Sequence, residues 1–290
     1  MIEYTNPNSL YNEVVMLLES GRRVILTEGD VDFDILKPHM HEDASLVKGE
    51  GGRECVLRVA DRIYDRGYLD ALFLVDKDFE GVLKFPRTFS ANVLPSECHD
   101  FVMDLIKACP MLLRLVLEQI LNRERRSTKS NVRAEVTSEK LIESAVDYAL
   151  IMSAVRIYSS DNRRGWDLSA PIFSTFGRAI ATVSQVVEKI LQINGQSVDV
   201  ADVAPIVEGI ESELSLLSQN KFALVGDHDF FDALAAICRM EGIRASSKDL
   251  SERVVGAIRC DVMFNVFWFS EIQRWCHARD LKGMRCPCDA

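Results

Sequence analysis

At 290 residues and 48% hydrophobic composition, the chain can bury the core of one large domain or two ordinary ones. A formal charge of −10 excludes a surface that holds nucleic acid by bulk attraction, so any phosphate binding must come from local basic patches. No apolar run approaches the ~20 residues that cross a bilayer, and the eight cysteines lack the regular spacing of a disulfide framework. With no signal peptide in view, the expectation is a protein of the reducing cytoplasm that makes no membrane contact.

Residues 4–21 begin with capping chemistry and repeat Leu10, Val14, Leu17 and Leu18 at helical spacing until Gly21, which predicts an amphipathic helix. A buried strand follows over 22–27 and ends on Glu28, Gly29, Asp30, Asp32 and Asp34, where a helix over 30–39 should start. A short strand is expected at 44–47. The loop after it has Gly49, Gly51 and Gly52 in four positions, so the backbone there must turn sharply or be approached closely. A helix over 53–66 leads to a second apolar strand, Ala71 to Val75, which ends in Asp76, Lys77 and Asp78. Another strand is expected at 87–94, and Pro95-Ser96-Glu97 begins the next helix. This alternation implies a parallel sheet flanked by helices.

From about residue 101 the strand signals fade and helical periods take over. Helices are predicted at 99–108, 110–125, 137–158, 173–193, 199–218, 228–241, 247–259 and 260–278. The fold expected is α/β followed by an α-helical lobe, with a sheet domain over 1–108 and a helical domain over 109–290. The apolar helix from Val262 to Trp275 is the expected surface for self-association into a homodimer.

The strand-end acids carry the chemistry. Two parallel strands that both end in carboxylates make one electronegative notch, and open α/β sheets bind ligands outside those strand ends. Glu28, Asp76 and Asp78 are hard oxygen donors that suit Mg²⁺ or Mn²⁺, and Asp32 is a weaker candidate for the same set. The bland alternative is that they are helix caps and solvated loop acids. Lys77 would point to the opposite face if the strand continued, and would reach a scissile phosphate if the chain has already turned. His228, between Asp227 and Asp229, is either a general acid or base or a helix-start histidine. Arg123, Arg125, Arg126, Lys129 and Arg133 form the most cationic run of the chain, and Arg163-Arg164-Gly165-Trp166 is a second basic patch with an aromatic. Each is a solvated loop or a contact for a polyanion. Cys276, His277, Cys286 and Cys288 fit zinc spacing poorly.

Taken together, strand-Glu28-Gly29 with Asp32, the turn Gly49 to Gly52 and strand-Asp76-Lys77-Asp78-Phe79 resemble the TOPRIM domain of topoisomerases, primases and OLD-type nucleases. The likeness is to OLD-like TOPRIM proteins with a helical C-terminal half, through Gly226-Asp227-His228-Asp229 and the closing segment Phe264 to Trp275. That group includes the AriB-type effectors of the PARIS anti-phage system. The resemblance implies Mg²⁺ held by Glu28, Asp76 and Asp78 for phosphoryl transfer. It further implies release from an ABC-type (AriA-like) ATPase partner, dimerisation and cleavage of RNA, with tRNA as the substrate. A departure falls at Val102, where a further carboxylate is expected, with Glu97 and Asp100 nearby. Two alternatives stay open, an OLD-like DNase and a non-catalytic TOPRIM module that regulates the ATPase.

Overall fold

The structure, a computed structural model, describes residues 7–126, 132–133, 135–196, 198–217 and 220–286, of which 7 and 200–202 are described by backbone alone. The chain forms two compact units. One comprises the residues up to Lys77, Arg87–Ala108 and the chain from Ile258 on; the other comprises Asp78–Pro86 and Cys109–Ala257.

The first unit is built on four parallel strands, β1 (Arg23–Thr27), β2 (Ala44–Lys48), β3 (Ala71–Val75) and β4 (Val93–Pro95), in the order β2-β1-β3-β4. All five residues of β3 are buried, as a parallel strand covered on both faces requires. Helices α1 (Pro7–Glu19) and α3 (Gly52–Asp65) pack together beside the sheet, with Leu10 and Val14 joining Val56, Val59 and Ile63 over Val24, Leu26 and Phe73. Between β1 and β2 lies α2 (Asp30–Leu36), which continues as a 3-10 turn to His39.

Expected strand 87–94 is reduced to β4, because side chains of the preceding segment are occupied by α3. Arg87 and Ser90 donate to the Asp61 carboxylate at 2.6 and 3.0 Å, and the Asn92 amide donates to the Ala60 carbonyl at 3.0 Å. These contacts hold the chain beside the helix until Val93 pairs with Phe73.

After α4 (Phe101–Ala108), the second unit is helical: α5 (Pro110–Arg126), α6 (Ser138–Asp161), α7 (Val183–Ile193), α8 (Val200–Leu216), α9 (Asp227–Met240) and α10 (Ser247–Gly256). Its centre is α6, which packs on α9 and α8. The ring of Tyr158 lies against Gly209 so closely that a Cβ there would collide with it, so this crossing needs glycine. The helix expected over 173–193 is interrupted. A 3-10 turn at Phe173–Phe176 ends at Gly177 (φ 66°), and α7 restarts only where Thr182 and Gln185 form a reciprocal capping box.

The expected boundary between 108 and 109 does not hold to the end of the chain, because the segment from Ile258 returns to the sheet unit. The helix expected over 260–278 is also two pieces, α11 (Cys260–Met263) and α12 (Phe267–His277). Between them the backbone closes tight turns, Asn265 N–H to Val262 O and Val266 N–H to Met263 O, both 3.0 Å. Trp268 stacks on Phe101 with ring centroids 4.5 Å apart, and Val262, Met263, Val266, Trp268, Phe269 and Ile272 are buried. The apolar face expected to mediate self-association is therefore used inside the unit; Phe264 is the large apolar side chain it leaves exposed. Past α12, Met284 makes an antiparallel bridge with Met40, and the Arg285 N–H donates to the His39 carbonyl at 2.7 Å.

Candidate active site at the strand ends

Neighbouring strands β1 and β3 run parallel, with Thr27 paired to Leu74, so their C-terminal ends deliver Glu28 and Asp76 side by side. The Asp76 N–H donates to Glu28 Oε2 at 3.0 Å, which fixes the glutamate across the edge of the sheet. In turn Asp76 Oδ1 accepts the N–H of Phe101 at 3.2 Å, the first residue of α4, and the Asp76 carbonyl accepts from Arg53 Nε at 3.0 Å. Both carboxylates thus lie where backbone N–H groups point at them, and the α4 N-terminus adds the positive end of its dipole.

Gly49 holds the β1 end in place. Its N–H donates to the Thr27 carbonyl at 2.8 Å, and a Cβ there would collide with the Thr27 and Glu28 carbonyls and with Val56 Cγ2. Gly51 and Gly52, at φ 80° and 74°, then turn the chain into α3 through the left-handed region. The glycine cluster therefore serves both purposes, close approach at its first member and reversal at the other two.

The remaining candidates are placed as follows. Asp32 is buried, and its Oδ2 accepts the Gly29 N–H at 3.3 Å at the start of α2. Asp30 pairs with Lys48 at 3.1 Å at the edge of the same loop. Lys77 comes after the end of β3 and before the turn that begins at Asp78; its N–H donates to Ser96 Oγ at 2.9 Å and its Nζ to the Glu97 carbonyl at 3.2 Å. Asp78 belongs to the second unit, with φ 50°, and its charge acts on Arg156 of α6. His228 is the second residue of α9; its side chain is 96% exposed and lies 3.9 Å from the Asp227 carboxylate.

In the basic runs, Arg123 pairs with Glu124 at 3.3 Å, Arg125 donates to the Val136 carbonyl at 2.6 Å, and Arg133 faces Glu241 at 3.8 Å. Arg126 is exposed at the end of α5, and Lys129 lies outside the described residues. Arg163 (φ 51°) and Arg164 follow α6, and Arg164 donates to the Tyr158 hydroxyl at 3.3 Å. Trp166 is buried with its Nε1 donating to Gln196 at 3.1 Å, so it offers no face to a base. Cys276 is buried and Cys288 lies outside the described residues.

Two groups, Asp104 and Arg156, escaped the sequence reading, while Asp100, noted there only as an acid near Val102, has a capping role. Asp100 is the N-cap of α4, with Oδ1 accepting the Met103 N–H at 2.8 Å. Asp104 is buried and accepts from the Cys98 and Glu97 N–H groups at 2.6 and 2.9 Å. Burial raises its pKa, against the pull of those two N–H groups. The Asp100-x-x-Met103 spacing was a readable cap signal, whereas Asp104 sits in an apolar helical run that gives no sign of its role. Arg156, in α6, makes a two-pronged pair with Asp229 at 2.8 and 3.1 Å. Burial acts against its charge, but Asp229 and then Asp78 outweigh it and hold its pKa above the usual arginine value.

Among the described residues, no group of three or more His, Cys, Asp or Glu side chains is arranged as a metal cage. The donor chemistry of Glu28 and Asp76 fits a hard divalent cation, and it supplies two of the oxygen ligands such an ion needs. No family model matches the chain, and no curated protein matches it.

Proposed function

We propose that this chain is a metal-dependent nuclease of the TOPRIM type, with Glu28 and Asp76 as its central carboxylates. The observation that carries the reading is the Asp76 N–H to Glu28 Oε2 bond of 3.0 Å, which sets two strand-end acids together at the C-terminal edge of a parallel sheet. That edge is where open α/β sheets bind ligands. A bound Mg²⁺ or Mn²⁺ would lower the pKa of its water and offset charge on a phosphodiester.

This chain's own residues do the positioning. Gly49 and the β1–β3 pairing orient Glu28, and the α4 N-terminus orients Asp76. Asp78 is the third donor that the family resemblance supplies. The same resemblance gives the substrate and setting: tRNA, cut by a toxic effector of an anti-phage system after release from an ABC-type ATPase, in the cytoplasm and as a homodimer.

Replacing Glu28 with Gln keeps its shape and removes its charge. Cleavage of purified tRNA in Mg²⁺ is expected to fall on the order of 10²-fold or more. Unchanged cleavage by the folded variant would remove Glu28 from the site, and plasmid cutting in place of tRNA cutting would indicate the OLD-like DNase.

A second reading has an observation of its own. Glu28 and Asp76 each accept a backbone N–H, as acids in a purely structural role do, which favours a TOPRIM shell kept as a binding module for the ATPase. Calorimetric titration with Mn²⁺ separates the two, because a module with structural acids shows no binding that depends on Glu28.

A further inference from the structure

The helical unit contains a cavity of about 810 Å³ that the strand-end chemistry does not use. It is lined by Arg123, Arg178, Arg239 and Arg244, with Glu124, Asp249 and Ser246 beside them. Four arginines against two acids leave a net positive charge of 4 − 2 = 2 in a chain whose formal charge is −10. Of the two acids, Asp249 is engaged by Arg253, outside the lining, at 2.9 Å, and Glu124 pairs with Arg123 of the lining itself at 3.3 Å.

Four separate stretches of chain converge to make it. Arg123 is on the last turn of α5, and both α5 and α9 pack on α10. Arg239 lies seven residues, two helical turns, after Asp232 on the same face of α9. Asp232 is buried and accepts the N–H groups of Phe173 and Ser174 at 2.8 and 3.3 Å, which anchors the turn that carries Arg178. Arg244 is on the loop into α10, and Ser246 caps that helix by accepting the Asp249 N–H at 3.1 Å. The α10 N-terminus therefore opens on the same cavity, with its dipole directed at whatever occupies it. Arg178 and Arg244 are exposed, whereas Nη2 of Arg239 is shut off from solvent with no hydrogen-bond partner.

Planar guanidinium groups bind phosphate oxygens two at a time, and several of them around one concave space suit a ligand with adjacent phosphates better than a single anion. The volume is that of a small-molecule site, which for ligand pockets runs about 300–1,000 Å³. From this convergence we infer that the helical unit binds a small ligand bearing two or more linked phosphates, of the nucleoside triphosphate class. A single concave space of this size, lined by arginines from separate elements, favours such a ligand over an RNA strand, which needs an extended track of contacts.

The test is calorimetric titration of the full chain with inorganic tripolyphosphate, ATP and orthophosphate, for wild type and for the double variant Arg178→Glu with Arg244→Glu. Both positions are exposed, so the fold should survive, and circular dichroism checks that it does. Tripolyphosphate and ATP are expected to bind at least about tenfold more tightly than orthophosphate, with the double variant weakening both by a further tenfold or more. Arg259→Glu, an exposed charge reversal outside the cavity, should leave binding unchanged. Equal binding by wild type and double variant, or no preference for linked phosphates, overturns the inference. A single-stranded RNA oligonucleotide that binds more tightly than ATP and depends on the same two arginines also overturns it, in favour of an RNA contact.

Discussion

Glu28 and Asp76 each accept a backbone N–H group, so their positions depend on the chain path around them. Gly49 is the most sensitive point of that path. A methyl group at this residue meets the two carbonyls and Val56 at once. Gly49→Ala is expected to cost about 1–3 kcal/mol in denaturant unfolding, the range for overpacking a tight site. It should also weaken any Mn²⁺ binding that depends on Glu28, and a variant with wild-type values on both counts would show that the contact is slack. At this scale the sequence was informative where a residue type fits only one backbone setting. The glycine cluster and the strand-end acids stood out for that reason. Asp104 and Arg156 did not, because nothing in a helical run of apolar neighbours says that one charged member will turn inward to meet N–H groups or a carboxylate supplied from elsewhere.

Among the elements, α12 carries more than its sequence indicates. Its apolar stripe read as a surface for another copy of the chain, yet Trp268 is fully buried and stacks on Phe101 at the start of α4. Since the Phe101 N–H also donates to Asp76, this packing supports the candidate site from behind. Trp268→Ala should destabilise the sheet unit by about 3–5 kcal/mol, as expected for emptying a large aromatic site, and chemical denaturation measures it. A loss under about 1 kcal/mol would mean that the indole is not packed as described. Periodicity located α12 well, but it could not show the break at Phe264–Val266 or the one after Phe176. Both breaks come from tight turns that a helical hydrophobic pattern runs straight across.

For the whole molecule, the chain crosses between its two units more than once. The first unit is closed by its C-terminal segment, where Arg285 and Met284 pair with His39 and Met40. Burial lowers the His39 pKa below its ordinary value, opposed by a hydrogen bond that the imidazole donates to the Arg285 backbone. The sign follows from linkage: the unfolded chain takes up the proton first as pH falls, so the stability contributed by neutral His39 is complete above about pH 6.5. It is lost as pH falls from there towards the lower folded value. Unfolding by guanidinium at pH 5 and pH 7.5 should therefore show a larger acid loss for wild type than for His39→Gln. Identical pH dependence in the two would remove His39 from the account.

By itself the sequence determined the parallel sheet half, the helical half and the two strand-end acids, because burial period and strand-end charge are local properties of the chain. The shift of residues 258 onward into the sheet unit, the burial of the α12 stripe and the gathering of Arg123, Arg178, Arg239 and Arg244 around one cavity were decided only in three dimensions. Each depends on residues far apart in sequence meeting at one place, and no local pattern records which distant partner a side chain will find. The acidic notch could be read along the chain; the basic cavity could not.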